Sequence, residues 1–249
     1  MTPALLLVVA ACMAGTAFLS GLFGMAGGMI LIGILLAIMP LPDAMAVHAV
    51  TQMASNGWRC LLWWRYVRPK AIAGYLLGCV FALLAWSFFR YVPSKPVATL
   101  FLGLLPFGVR FLGRGFEPTP ESLRHGLIYG TICMALLLLT GVAGPLIDTF
   151  FLGGNLDRRE MVASKSACQI FGHAMKLVYF GGIVEQVGAA DGTVMAVAVA
   201  MSIVGTTAAR RFLEAMSDAQ YRTWAGRIIT SISSCYVIQG VYLLIARDL

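Results

Sequence analysis

Ten apolar runs, separated by short polar connections, occupy almost the whole chain. Hydrophobic residues make up 59% of the sequence and charged residues only 12%, about half the charged fraction of a soluble domain. So few charges cannot cover a water-facing surface of ordinary polarity, which excludes a soluble enzyme and a disordered chain. The length allows about eight to ten spans of ~20 residues, so we expect an all-α polytopic transmembrane bundle. The runs fall at about residues 4–22, 25–39, 43–64, 71–89, 96–112, 124–142, 145–153, 160–183, 192–209 and 225–246.

The runs form two similar sets of five. Residues 20–24 (SGLFG) resemble residues 140–144 (TGVAG) at an offset of 120 residues. Each motif is followed by a run, at about 29–39 or 145–153, that is too short to cross ~30 Å of hydrocarbon as a straight helix. Interrupted segments at matching places in two halves are typical of secondary transporters, so they predict glycine-led broken or re-entrant helices.

These similarities predict two membrane repeats, at residues 1–112 and 124–249, joined by a polar loop at 113–123. Five runs per half is an odd number, so the second half would enter the membrane from the opposite side.

The basic residues of equivalent loops support this inverted topology. The loop after the third run carries Arg65, Arg68 and Lys70, whereas its second-half equivalent, at about 183–192, carries no Lys or Arg. The positive-inside rule therefore places the first loop in the cytoplasm and the second outside. Both termini are then predicted to be periplasmic, in a bacterial inner membrane.

Glycines beside the two short runs are the first candidate binding element. They are Gly21, Gly24, Gly27 and Gly28 in the first half, and Gly141 and Gly144 in the second. A short helix that begins after such a turn presents free N–H groups and a positive dipole end, and inside a membrane an anion is a natural partner for them. Close helix packing through small residues is the alternative explanation, and the glycines alone do not decide between the two.

A polar stripe on each long run is the second candidate element. The members are His48, Gln52, Asn56 and Arg59, and at the same spacing Lys165, Gln169, His173 and Lys176. This spacing places each set on one face of a helix. Ionisable residues inside membrane segments are costly and mark substrate paths by default. Both stripes are basic and neither contains an acidic residue. Their donors therefore favour a ligand that supplies the hydrogen-bond acceptors and the negative charge, such as a small oxyanion.

Roles follow from the side-chain chemistry. Backbone N–H groups with Gln52, Asn56 and Gln169 are expected to bind the oxygens, while Arg59, Lys165 and Lys176 supply positive charge. His48 and His173 could add charge below neutral pH or relay a proton. The alternative is that Arg59 and Lys176 snorkel to the membrane surface as anchors.

Asp148 is the only acid well inside an apolar run, which makes it a candidate for coupling. It could pair with Lys165 or another base, or take a coupling proton or cation, and a structural role is equally consistent with the sequence.

Other partners are not expected. The six cysteines lie singly in apolar runs without a CxxC pair, so we expect buried thiols, no metal and no cofactor. The basic residues form no block, which argues against nucleic acid and leaves the lipid bilayer and a small anion as partners. A homo-oligomer is left open.

The motifs resemble the TauE/SafE sulfite-exporter family of membrane anion transporters. The resemblance rests on residues 21–28 (GLFGMAGG), Pro40, the polar run with His48 and Asn56, and the repeated layout at 141–144. It covers nearly the whole chain and implies an inner-membrane permease that moves sulfite or an organosulfonate, usually outward. The family often has three consecutive glycines where this chain has two.

Two other classes of function are weighed against a carrier. An intramembrane enzyme would need a catalytic motif, but no HExxH or GxSxG is present, and Ser164 and Lys165 are adjacent and cannot face one another along a helix. A structural or assembly membrane protein without transport activity is the main alternative, and a channel is left open.

Overall fold

The computed structural model describes residues 3–23, 25–111, 118–152, 156–184, 192–215 and 218–246. These residues form ten α-helices and contain no β-strand, which confirms the all-α prediction. The helices are α1 (Pro3–Phe23), α2 (Met25–Ile38), α3 (Leu41–Leu62), α4 (Pro69–Phe89), α5 (Lys95–Phe111), α6 (Leu123–Thr140), α7 (Gly144–Leu152), α8 (Arg158–Val178), α9 (Gly192–Ala215) and α10 (Asp218–Ile245). Each helix overlaps one of the ten apolar runs. The boundaries proposed for the two repeats stay a prediction, and residues 112–117 of the connecting loop lie outside the described ranges.

Five of the described helices are long and apolar enough to cross a membrane. The apolar stretches are Leu6–Phe23, Pro69–Phe89, Leu123–Thr140, Gly192–Ala209 and Gly226–Ile245. Large apolar side chains on their outer surfaces are exposed, as on α4, where Phe88 is 84% exposed. This surface suits lipid, and the protein is a multi-pass membrane protein.

The two short runs form short helices. α2 has 14 residues and α7 has 9. At a rise of 1.5 Å per residue these lengths are roughly 21 and 14 Å, less than the ~30 Å of hydrocarbon. Over the described residues both helices are thus shorter than the hydrocarbon layer, and the glycine-led broken or re-entrant helices stay a prediction.

Local sequence signals set the helix ends around the centre of the molecule. α8 begins with a capping box, in which the Asp157 carboxylate accepts from the backbone N–H of Glu160 at 2.9 Å and Glu160 accepts from that of Asp157 at 3.1 Å. α6 ends at Gly141, whose φ of 87° is a left-handed conformation that glycine adopts at little cost. Pro145 follows in the first turn of α7, where its missing N–H costs nothing.

The helices pack in pairs that join the two halves of the chain. The main pairs are α1 with α9, α4 with α6, α5 with α10 and α3 with α8. If α1 to α5 correspond in order to α6 to α10, the counterpart of the α1–α9 pair is the α6–α4 pair. The α3–α8 and α5–α10 pairs are each their own counterpart. Small residues permit the close approach, since a Cβ on Gly126 of α6 would lie 2.8 Å from the Tyr75 backbone of α4.

Helices α3 and α8 carry most of the buried polar groups. On α3 these include His48, Gln52 and Asn56, and on α8 they include His173 and Lys176. Because α3 packs directly against α8, the two predicted stripes face one another at the centre of the protein.

Candidate functional site

A small cavity lies at the contact between α3 and α8. Its lining residues are Ser20, Gly28, His48, Gln52, Asn56, Arg59, Val142, Ala143, Gly144, Gln169 and His173. The volume is about 20 Å³, room for about one water molecule. None of the lining residues is acidic, and within the described ranges no three His, Cys, Asp or Glu side chains are grouped as a metal site would require.

The cavity brings together most of the residues that the sequence singled out. Those in its wall are Gly28, His48, Gln52, Asn56, Arg59, Gly144, Gln169 and His173. Lys176 is joined to this wall by a hydrogen bond to His48. Gly27 and Lys165 are not part of the wall, and Gly24 lies outside the described residues.

Lys176 is fully buried, with an exposed fraction of 0%. Its Nζ atom lies 2.8 Å from His48 Nδ1 and donates to the Gly141 carbonyl oxygen at 3.1 Å. Both partners are uncharged acceptors, and no carboxylate among the described residues pairs with it. An ammonium buried without a counter-charge is unfavourable, so this position is electrostatically suited to an anion.

His48 connects the lysine to the first glycine motif. Its Nε2 atom lies 3.0 Å from the Gly28 carbonyl oxygen, and a carbonyl can only accept. Nε2 therefore carries a proton, which leaves the Nδ1 lone pair to accept from Lys176. A single chain of hydrogen bonds thus joins Gly28 near the start of α2 to Gly141 at the end of α6.

Three polar atoms in the cavity wall have no hydrogen-bond partner among the described residues. They are Ser20 Oγ, Gln169 Oε1 and His173 Nδ1. The His173 ring also lies against the His48 ring, with 5.4 Å between their centroids. Buried polar groups nearly always have a hydrogen-bond partner, so a cluster of polar atoms without one around a single cavity indicates a binding site for a polar ligand. The serine hydroxyl and an imidazole N–H can each donate to an oxyanion, as can the glutamine amide after a flip.

Arg59 closes the wall beyond Asn56. Its guanidinium donates to Asn56 Oδ1 at 3.4 Å and to the Ser20 carbonyl oxygen at 3.3 Å. The side chain is half-buried and reaches back to α1 along the cavity wall. Both hydrogen bonds are longer than a typical charge-assisted contact of ~2.7–2.9 Å.

The start of α7 supplies the opposite part of the wall. Val142, Ala143 and Gly144 line the cavity at the N-terminal, positive end of this helix. Thr140 shapes the preceding turn, because its hydroxyl donates to the Val142 carbonyl at 2.8 Å and accepts from the Val142 N–H at 3.2 Å. The turn and the left-handed Gly141 therefore aim the helix end at the cavity.

Lys165 and Asp148 form a salt bridge with each other instead of lining the cavity. The sequence predicted that Lys165 supplies charge to the anion and also gave pairing with Asp148 as an alternative, and the structure places the Lys165 ammonium against this carboxylate. The physical reason is that α7 runs beside the first half of α8 and brings Asp148 within reach of Lys165. The two charges compensate each other, so neither adds net charge to the site.

Gly27 also has a different place from the predicted one. A Cβ at this position would overlap the Thr16 carbonyl oxygen and lie 2.6 Å from the Ser20 backbone nitrogen. Gly27 thus packs α2 tightly against α1, which is the small-residue explanation, whereas Gly28 faces the cavity.

Sequence reasoning missed Ser20, Val142 and Ala143 as residues of the cavity wall. All three belong to the repeated motif at 20–24 and 140–144, so that motif was the available signal. The apolar pair contributes backbone, which composition alone does not mark as functional.

Comparison with known proteins places the chain in one family. Residues 7–235 match the family described as Sulfite exporter TauE/SafE, the family that the sequence motifs resemble. No curated protein and no solved structure gives a match.

Proposed function

Because the chain belongs to the TauE/SafE family of sulfite exporters, we propose that it exports sulfite or an organosulfonate across the bacterial inner membrane. The family is one of membrane transporters for sulfite and related anions, rather than of enzymes. The particular anion, the outward direction and the inner-membrane location belong to the proposal.

The complete burial of Lys176 beside uncharged partners is the observation that carries the proposal. Lys176 has neutral partners and no carboxylate beside it among the described residues. A small oxyanion that enters the cavity would provide the missing negative charge and accept hydrogen bonds from the same wall. A neutral or cationic substrate would leave the ammonium uncompensated.

The roles proposed for the wall follow from its chemistry. Gln52, Asn56 and Gln169 bind anion oxygens through their amides, and the positive end of α7 at Gly144 adds backbone donors. Arg59 and Lys176, linked through the wall, provide the charge. Ser20 joins this set as a hydroxyl donor without a partner among the described residues.

Transport requires the cavity to widen. A volume of about 20 Å³ holds about one water, which is less than any sulfur oxyanion needs. We propose an alternating-access cycle in which α3 and α8 separate to admit the anion, then close around it. His48 is placed to relay a proton during this cycle, since it links Lys176 to the start of α2.

We also propose that the two halves are inverted repeats. The packing of α1 on α9 supports this arrangement, because its counterpart in the other half, α6 on α4, is also a main helix pair. So does the contact between the connection that follows α3 and the N-terminal end of α8, where Arg68, directly before α4, pairs with Glu160. With Arg68 on the cytoplasmic side, both termini are periplasmic.

Coupling is assigned to the ion pair beside the cavity. Asp148 would take a proton and release Lys165, which changes the net charge next to the site by one. Proton-coupled transport therefore depends on Asp148 in this proposal, whereas anion affinity depends on Lys176.

Efflux from proteoliposomes tests the proposal. Purified protein is reconstituted, loaded with sulfite, an alkanesulfonate or chloride, and anion release is followed over time. Saturable release of sulfite or the sulfonate but not chloride is expected, with loss of release in Lys176→Gln. No saturable release of either oxyanion would favour the structural or assembly protein, and equal release of chloride would favour a non-selective channel.

A further inference from the structure

An open groove that shares no residue with the central cavity lies between the end of α5 and the first half of α10. Its volume is about 440 Å³, and it is lined by Arg110, Thr223, Gly226, Arg227, Thr230 and Ser231. Two guanidinium groups and three hydroxyls meet there, and no lining residue is acidic.

Stacking on aromatic rings holds the two guanidinium groups in place. Arg110 Cζ lies 5.9 Å from the centroid of Phe107, and Arg227 Cζ lies 5.8 Å from that of Trp224. Arg110 also donates to Thr230 Oγ1 at 2.7 Å. An arginine stacked in this way keeps the N–H edge of its plane available for a ligand, which suits the planar, multidentate recognition of phosphate.

The groove sits where α10 enters the membrane. The apolar stretch of this helix begins at Gly226, and Trp224, two residues earlier, is 51% exposed as expected of an interfacial aromatic. Further along α10, Ile238 and Tyr242 are 70% and 67% exposed and face the region of the acyl chains. A ligand with a charged head and apolar tails therefore matches both parts of this surface.

We propose that this groove binds the phosphate group of an anionic phospholipid. Arg110 and Arg227 contact the phosphate oxygens, the hydroxyls of Thr223 and Ser231 donate further hydrogen bonds, and the acyl chains lie along α10. The Thr230 hydroxyl donates to the Gly226 carbonyl at 2.8 Å, so its part is to hold Arg110 in place.

Basic pockets between membrane helices on the cytoplasmic side are suited to such headgroups. The positive-inside rule predicts that side for the groove, because the sequence carries Arg110, Arg114 and Arg124 around the connection after α5 and Arg222 and Arg227 in the first part of α10. The proposal depends on the membrane location of the protein and not on the identity of the transported anion.

The test compares lipid retention by matched arginine variants. Protein in phosphatidylcholine nanodiscs is titrated with phosphatidylglycerol, and bound lipid is counted by native mass spectrometry. Arg110→Gln and Arg227→Gln are each expected to weaken phosphatidylglycerol binding about fivefold, or ~1 kcal/mol. Arg65→Gln is the control, because Arg65 also stacks on a tryptophan, Trp64 at 5.5 Å, but is not among the residues that line this groove.

Two results would overturn the proposal. One is phosphatidylglycerol retention by both groove variants equal to that of the wild type and of Arg65→Gln. The other is binding of inorganic phosphate as tight as that of phosphatidylglycerol, with displacement of the lipid, which would make the groove a site for a soluble anion. Thermal unfolding of the same samples without added anion verifies that the variants are folded, and the unfolding temperature is expected to stay unchanged.

Discussion

Replacing Lys176 by glutamine removes a lysine that is completely buried beside the cavity. The side chain makes hydrogen bonds to His48 and Gly141, so Lys176→Gln loses up to two contacts at ~1 kcal/mol each. It also removes a buried charge that no carboxylate among the described residues compensates, which offsets that loss. The ligand-free variant is therefore expected to fold with a stability close to that of the wild type.

Anion affinity should respond much more strongly. A charge-assisted hydrogen bond contributes about 1.5–3 kcal/mol, so its loss raises Kd by roughly 10–150-fold. At about 100 times the wild-type Kd, ligand binding stabilises the wild-type protein by about 2.7 kcal/mol. If the Kd of the variant is ~50-fold higher, the same concentration is only about twice that Kd, and the stabilisation falls to ~0.6 kcal/mol.

Thermal unfolding with and without sulfite measures this difference directly in purified protein, and calorimetric titration gives the two Kd values. Lys165→Gln is the matched comparison, since Lys165 lies on the same helix but pairs with Asp148 outside the cavity wall. It is expected to lower the ligand-free stability by leaving a partly buried carboxylate unpaired, and to raise Kd much less than Lys176→Gln does because the pair lies outside the cavity wall. A Kd for Lys176→Gln within about twofold of the wild type would refute the reasoning, because a site that uses this charge must lose far more.

Three further predictions address the rest of the site and the topology. Arg59→Gln should weaken sulfite binding by about 10-fold or more. Arg59→Lys should restore only part of this affinity, because lysine lacks the planar guanidinium fork. If Arg59 were only a membrane anchor, the variants would insert poorly and the inserted protein would keep its affinity. Gly28→Ala should weaken binding in the same titration, because the new Cβ would lie 3.3 Å from Gln52 Oε1 and displace that amide. Gly57→Ala, where nothing lies within 4 Å, should leave affinity unchanged, and equal effects of the two alanines would contradict a role for Gly28. Cysteines placed at Arg65 and Gly182, both exposed, should react with an impermeant maleimide from opposite sides of the membrane, and labelling from one side would exclude inverted repeats.

The fold was largely predictable because a bilayer restricts the choices. A chain this apolar must satisfy its backbone hydrogen bonds internally, so each long apolar run becomes a helix. The helix ends in this region were also predictable, since Gly141 ends α6 and Pro145 lies in the first turn of α7. Helical periodicity placed His48, Gln52 and Asn56 on one face of α3, and they do line one cavity.

The parts of the site that could not be predicted depend on contacts between distant segments. Helical periodicity places Lys165 and Lys176 on the same face, so the sequence gives them the same role. The approach of α7 to α8 makes them different, because Asp148 neutralises Lys165 whereas Lys176 lies beside His48. Gly27 and Gly28 are neighbours in sequence, yet the packing of α2 on α1 uses one for close contact and turns the other toward Gln52.

Hydropathy and local periodicity were sufficient to predict the class of the protein, the ten helical segments of its described residues and the basic character of its two long polar helices. Which charges stay uncompensated depends on the tertiary structure. An ion pair depends on the distance between two side chains, and for Lys176 the nearest partners, His48 and Gly141, are set by the packing of α8 against α3 and the end of α6. Burial makes the pairing partner important, since removing a charge from water is costly unless a partner is close. The distance to that partner is set by the folded chain and not by any single segment.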